Sequence, residues 1–208
     1  RSSAASDVYK RQDDSTVRLW DSYNTQAVGQ PMRHENRVLG AALSEDQDRV
    51  LSWSFDGTVR LWDAETTHPI GQPMRHAHKF VGATFSENQD RILSWESSKT
   101  GKSSTVRLWD AQTTQIIGQP MRHASDVVGA TFSSKQDRIL SWSSDGSLRL
   151  WDAETTQAIR QPMWHQQAIQ SAYFSADQEH VFSWSSGDTL RLWETETTRP
   201  IGQPLLHE

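Results

Sequence analysis

A chain of 208 residues is long enough for a sizeable core, and length alone allows one or two domains. Its formal net charge of −5 gives no electrostatic attraction for a phosphate backbone or an anionic membrane surface, so neither nucleic acid nor membrane is an expected partner. Cysteine is absent, which removes disulfide frameworks and Cys-based zinc sites and does not tell an oxidising from a reducing compartment; no run approaches the roughly 18 apolar residues of a spanning helix, so the chain is expected to be soluble, and a cytoplasmic location is expected.

Residues 1–12, RSSAASDVYKRQ, fit neither an export leader nor the text that follows, and read as a non-native leader or fusion scar. Val8 to Lys10 could serve as a substitute strand, although Lys10 stands where later copies carry a serine. From Asp13 onward one segment recurs. It first occurs truncated, as DDSTVRLWDSYNTQAVGQPMRH, and then in full from Arg49 as RVLSWSFDGTVRLWDAETTHPIGQPMRH. It returns from Arg91 and Arg138, and more loosely from His180. Trp20, Trp62, Trp109, Trp151 and Trp193 mark the period, with intervals of 42, 47, 42 and 42 residues; the long one reflects an insertion at 99–104. Ten Trp against three Tyr follow from this repetition.

Each unit reads as four short strands: runs such as VLGAALS, RVLSWS, TVRLWD and PIGQPM are rich in β-branched or aromatic residues and separated by turn clusters. Helical repeats of similar length need amphipathic helices, which these units lack. Pro31, Pro73, Pro120, Pro162 and Pro204 fall in the last strand of each unit. Proline cannot donate to a ladder, so this strand is expected at the sheet edge. Trp53, Trp95, Trp142 and Trp184 follow a serine by one residue and are expected to face the next unit.

A period near 42 residues with four strands, a His near the start and Trp-Asp at the end of the third strand resembles the WD-repeat propeller family. The pairs are Trp20-Asp21, Trp62-Asp63, Trp109-Asp110 and Trp151-Asp152, with Trp193-Glu194 as a departure. The family's Gly-His keeps only its histidine, at His34, His76, His123, His165 and His207. The resemblance implies an all-β fold of four-stranded antiparallel blades, about four and a half of a seven- or eight-bladed ring. The expected division is a half blade at 13–33, then blades at 34–75, 76–122 (with the inserted loop 99–104), 123–164 and 165–208. It also implies a buried tetrad of His, Ser, Asp and Trp. His34, Ser52, Asp56 and Trp62 match it, as do His123, Ser141, Asp145 and Trp151. Two sets are incomplete. His76, Ser94 and Trp109 lack the Asp because Ser98 and the inserted loop replace it, and beside His165, Ser183 and Trp193 the order Gly187-Asp188 is inverted. Spacing leaves open whether Asp188 reaches. Those two blades are expected to be less rigid, since an unpaired buried donor costs roughly 1–3 kcal/mol.

Ser, His and Asp together invite a catalytic triad, but a set repeated in every blade and buried there fits structure better. Five of the eight histidines lie one per blade and cannot converge on one ion, so neither metal nor cofactor is expected; His68, His78 and His180 read as solvated surface. Lys99 to Ser103 resembles the tail of a phosphate-binding loop, yet Glu96 stands where its first glycine belongs and a strand follows instead of a helix. The candidates for partner contact are positions that differ between otherwise matching units: Glu35, Asn36, Arg37, Phe55, His78, Lys79, Ser125, Asp126, Ser144, Gln166 and Gln167. By this reading the chain is a non-catalytic scaffold that binds proteins or peptides. The near-identical repeats resemble bacterial WD-repeat proteins in which a propeller follows a signalling module, so a recruiting or sensing part of a larger protein is expected. A propeller enzyme with a cofactor in its channel and a structural subunit of a complex are the alternatives.

Overall fold

The computed structural model describes residues 6–8, 14–77, 80–97 and 103–206. Every element among them is a β-strand, and the strands form five antiparallel sheets. The first holds β1 (Ser6–Val8), β2 (Thr16–Asp21) and β3 (Ala27–Arg33). The second holds β4 (Val38–Leu43), β5 (Arg49–Ser54), β6 (Thr58–Asp63) and β7 (Pro69–Arg75). The third is β8 (Phe80–Phe85), β9 (Arg91–Ser97), β10 (Ser104–Asp110) and β11 (Ile116–His123). The fourth is β12 (Val127–Phe132), β13 (Arg138–Ser143), β14 (Ser147–Asp152) and the short β15 (Met163–Trp164). The fifth is β16 (Ile169–Phe174), β17 (His180–Ser185), β18 (Thr189–Glu194) and β19 (Pro200–Leu206).

Within each sheet the strands lie in chain order, so these are meander blades of the propeller class. β3, β7, β11, β15 and β19 are edge strands, which is where a proline costs no ladder bond. Ser6–Val8, inside the segment set apart as a scar, runs antiparallel to β2 with Asp7 opposite Trp20. Lys10 lies outside the described residues. Among the described residues no helix is long and apolar enough to cross a membrane.

The chain divides into two compact units, Arg1–Ser94 with Trp109–Ile116, and Trp95–Leu108 with Ile117–Glu208. In the first unit, Val17, Leu19 and Met32 of one blade pack on Val50 and Trp62 of the next. Leu51, Val59, Leu61 and Met74 in turn pack on Ala83, Ile92 and Trp109, with Trp53 against this cluster. In the second unit, Leu140, Leu148, Leu150 and Met163 pack on Ala172, Val181 and Trp193, with Trp142 alongside. Alternation of side chains along a strand explains both faces: Ser52 and Trp53 are neighbours in sequence and point to opposite sides. Glycine gives the tryptophans room. A Cβ on Gly40 would lie 2.4 Å from the Trp53 ring, and one on Gly129 would lie 2.3 Å from Trp142.

A second glycine joins neighbouring blades. Gly71, at φ 65°, sits where a Cβ would lie 2.2 Å from Thr114 Oγ1, and the Gln72 amide donates to that hydroxyl at 2.9 Å. Gly29 with Thr67, and Gly118 with Thr156, repeat the arrangement. The threonine projects because its own backbone is left-handed, at φ 58°, 56° and 57° for Thr67, Thr114 and Thr156. It follows a turn held by the carboxylate of the Trp-Asp pair: Asp63 Oδ1 accepts from the Thr66 amide and hydroxyl at 2.7 and 2.6 Å. The fourth blade lacks this glycine. Arg160 stands there without a left-handed backbone, and the edge strand shrinks to Met163–Trp164. Thr198 now donates to the Gln161 carbonyl at 3.2 Å, and Arg160 Nε donates to the Glu196 carbonyl at 3.1 Å.

Gly118→Ala should destabilise by about 2–3 kcal/mol, because left-handed backbone costs a side chain about 1 kcal/mol and Thr156 must also be displaced. Gly202→Ala, at φ 70° with nothing within 4 Å, should cost only the first part. Urea unfolding compares them, and equal losses would show that the threonine contact contributes nothing.

Candidate functional site

Four buried serines organise the blades: Ser52, Ser94, Ser141 and Ser183 are each 0 % exposed. Ser52 Oγ lies 2.8 Å from Trp62 Nε1 and 2.7 Å from His34 Nε2. An indole N–H only donates, so the serine accepts from Trp62. The Asp56 carboxylate only accepts, and its Oδ2 lies 3.2 Å from His34 Nδ1, which puts the neutral imidazole's proton on Nδ1 and makes Nε2 the acceptor of the serine proton. Asp56 also accepts from the Glu35 amide at 2.9 Å and from the Thr58 amide and hydroxyl at 2.8 and 2.6 Å. Burial raises the Asp56 pKa, but the bonds from His34, Thr58 and the Glu35 amide together outweigh it and hold the carboxyl well below its ordinary value.

The other blades keep this trio and vary the fourth member. Ser141 bridges His123 and Trp151 at 2.7 and 2.8 Å. His123 Nδ1 meets the Ser147 hydroxyl at 3.1 Å, while Asp145 accepts from the Ser147 amide at 2.8 Å. Among the described residues no hydrogen bond joins His123 directly to Asp145. Ser94 bridges His76 and Trp109, both at 2.7 Å. Ser98 lies outside the described residues, but a carboxylate still caps the following strand: Glu96, 2 % exposed, accepts from the Thr105 amide at 3.1 Å and hydroxyl at 2.7 Å. Spacing misses Glu96 because the search is for an aspartate in the turn. The available signal is a lone acid where the other blades carry Ser54, Ser143 and Ser185. Ser183 bridges His165 and Trp193 at 2.7 and 2.8 Å, and His165 Nδ1 meets Thr189 Oγ1 at 3.3 Å. Asp188 is exposed, and no hydrogen bond joins it to His165 among the described residues. Inversion is the reason. Asp188 takes the left-handed position, at φ 54°, that Gly57 and Gly146 hold in their turns, and Gly187 falls where the carboxylate belongs.

These hydroxyls are buried and each is already engaged on two sides, so no substrate reaches them as nucleophiles. Among the described residues no three His, Asp or Glu side chains gather as a metal site. Within single blades, positions that vary between blades meet at the turns. The Phe55 amide donates to the Arg37 carbonyl at 2.9 Å, and the Arg37 guanidinium lies 5.4 Å from the Phe55 ring centre. Ser125 and Ser144 share a hydrogen bond at 3.0 Å, and the Ser144 amide donates to the Asp126 carbonyl. Gln167 packs where a Cβ on Gly187 would sit, 2.8 Å away. Glu35, Asn36, Arg37, Gln166 and Gln167 are exposed. A cavity of about 460 Å³ opens beside the last two, lined also by Thr189, Arg191 and Leu206. His78, Lys79 and the loop 98–102 lie outside the described residues.

Burial pushes the His123 pKa down to about 4, with Asp145 opposing and Arg149 assisting; burial and then Arg191 bring His165 to about 4. Unfolded, both imidazoles take up protons near 6.5, so between 6.5 and 4 the unfolded chain binds more protons than the folded one. Stability should therefore be complete above that window and fall as pH drops through it, by up to about 3 kcal/mol per imidazole. Denaturant unfolding across the window measures this, and a flat profile would refute it. Separately, Glu96→Ala should cost about 1–3 kcal/mol by leaving the Thr105 donors unpaired, with Glu96→Gln recovering part of the loss.

The description "WD domain, G-beta repeat" belongs to the family model that matches residues 28–63 and 115–152. Among solved structures, the crystal structure of the computationally designed Ika8 protein is similar to this chain at a TM-score of 0.77 and 23% identity, over 94% of this chain. The chain spans 59% of that protein's length. No curated protein matched.

Proposed function

This chain belongs to the WD-repeat propeller family, whose repeats generally mediate protein–protein interaction, and on that premise we propose that it is a recruiting or sensing module of a larger protein. Its partner is a protein or peptide held at the turns that carry Glu35, Asn36, Arg37 and Phe55. One observation carries this reading. Arg37 stacks over Phe55 on two turns that are fixed by backbone hydrogen bonds, which presents a cation and an aromatic ring without ordering cost. Arginine and large aromatics dominate binding energy at protein interfaces, and rigid presentation preserves it. The role is non-catalytic: a platform supplies position, and the partner supplies any chemistry.

Capture of partners by the immobilised chain, with Arg37→Ala and Phe55→Ala compared with the parent, tests this. Each variant should weaken capture by about tenfold, near the threshold for an interface hot spot, while the thermal midpoint shifts little because both side chains lie outside the buried network. Partners retained at full strength by both variants would sink this assignment.

A further inference from the structure

On the second sheet one cation is held in place while the donors of its head group stay uncommitted. Arg37 is exposed, and its guanidinium lies 5.4 Å from the centre of the Phe55 ring. Contact with a ring uses the charge and the flat face of a guanidinium and consumes none of its five N–H groups, which lie in its plane. Among the described residues that head group makes no ion pair and no hydrogen bond. Asp56, next to Phe55 in sequence, is already filled: Oδ1 accepts from the Thr58 amide and hydroxyl at 2.8 and 2.6 Å, and Oδ2 accepts from the Glu35 amide at 2.9 Å and faces His34 Nδ1 at 3.2 Å. The Arg37 backbone is fixed on both sides, its amide donating to Asn36 Oδ1 at 2.7 Å and its carbonyl accepting from the Phe55 amide at 2.9 Å. The same cross-turn bond runs from Ser144 to Asp126 and from Ser186 to Ala168, and neither of those pairs supplies a cation or a ring.

We propose that this turn takes its partner by a carboxylate, which accepts two parallel N–H···O bonds from the Arg37 guanidinium, with an apolar side chain beside that acid resting on Phe55. The proposal rests on the recruiting role given above and names the chemistry of the partner. Geometry favours a carboxylate, because the guanidinium presents paired donors in one plane, spaced to match two oxygens. Charge selects among oxyanions. Arg37 brings one positive charge, and Glu35, exposed on the same turn, brings a negative one. A monoanion is matched there, whereas a phosphate group, close to a dianion at neutral pH, keeps surplus charge beside Glu35. Phe55 is half-buried, which leaves part of the residue open to an apolar neighbour of the acid. Ring and backbone already restrain the cation, so little ordering cost is left for binding.

An array of short random peptides, printed both as C-terminal amides and with free C-termini, is probed with the labelled chain and with Arg37→Ala. Peptides that bind the parent and are lost with Arg37→Ala are then remade with each Asp or Glu replaced in turn by Asn or Gln, and with the C-terminal carboxylate exchanged for an amide. One of these exchanges should weaken binding to the parent by about tenfold and leave the residual binding to Arg37→Ala unchanged, since each removes one half of the same contact. Which exchange does so tells a side-chain acid from a chain end. Phosphoserine in place of a side-chain acid should bind more weakly than the acid. Arg37 is exposed, so an unchanged thermal midpoint should accompany its substitution. Peptides that need Arg37 yet ignore every removal of a carboxylate, or a phosphoserine form that binds more tightly, would overturn the carboxylate and leave the recruiting role standing. An array without any peptide that needs Arg37 would overturn both.

Discussion

A buried serine hydroxyl joins an indole and an imidazole in four blades, and what each partner can give or take sets the hydrogen-bond order of the interior. The indole N–H can only donate, so it takes a lone pair of the serine; beside Asp56, which only accepts, His34 keeps its proton on Nδ1 and takes the serine proton on Nε2. His34, Ser52 and Trp62 come from the exit of one blade and from two strands of the next, and the relay ties all three. With Ser52 at 0 % exposure, water cannot replace a lost partner, which makes each link costly to break. The last link varies from blade to blade. Asp56, the Ser147 hydroxyl and the Thr189 hydroxyl each meet the imidazole there, and a hydroxyl is enough for a donor that is already oriented.

The two halves of the Trp-Asp pair act on different things. The tryptophan closes the network inside its own blade. The aspartate holds the turn from which a threonine reaches into the glycine socket of the preceding blade, so that one dipeptide couples the interior of a blade to its neighbour. Glu194 shows the tolerance of the turn: its longer carboxylate still accepts from the Thr197 hydroxyl. Arg160 shows the strictness of the socket. A side chain in place of glycine loses the left-handed backbone there, while the flanking pairs Trp151–Ala158 and Leu148–Met163 are kept.

Repetition made much of this legible in the sequence. The period, the strands, the edge prolines and the His, Ser and Trp trio are all visible because each recurs at fixed spacing within one unit. The threonine–glycine contact is not visible that way. Its halves, Gly71 and Thr114 for instance, lie in different repeats, and each alone resembles ordinary turn chemistry. Glu96 is hidden by an expectation of aspartate two residues later. The fate of Asp188 depends on a backbone angle, which a dipeptide inversion changes without altering composition. The pairing of Arg37 with Phe55 needs the cross-turn register, which hydrophobic pattern does not specify.

The manner in which the turns are anchored also explains why variation collects there. Ser54 Oγ shares its one proton between the Asn36 and Arg37 carbonyls, the Phe55 amide donates to the Arg37 carbonyl, and Asp56 accepts from the Glu35 amide. In the later blades the Ser144 amide donates to the Asp126 carbonyl and the Ser186 amide to the Ala168 carbonyl. On the varying residues every one of these anchors is a backbone group, common to all residues but proline for the amides. The side chains of Glu35, Arg37 and Phe55 therefore carry no part of those bonds, and Asn36 adds one of its own, its Oδ1 accepting from the Arg37 amide at 2.7 Å. Positions that the fold needs only for their backbone are free to be chosen for what they touch outside it, and a rigid frame makes that choice effective by holding the chosen side chains where a partner meets them.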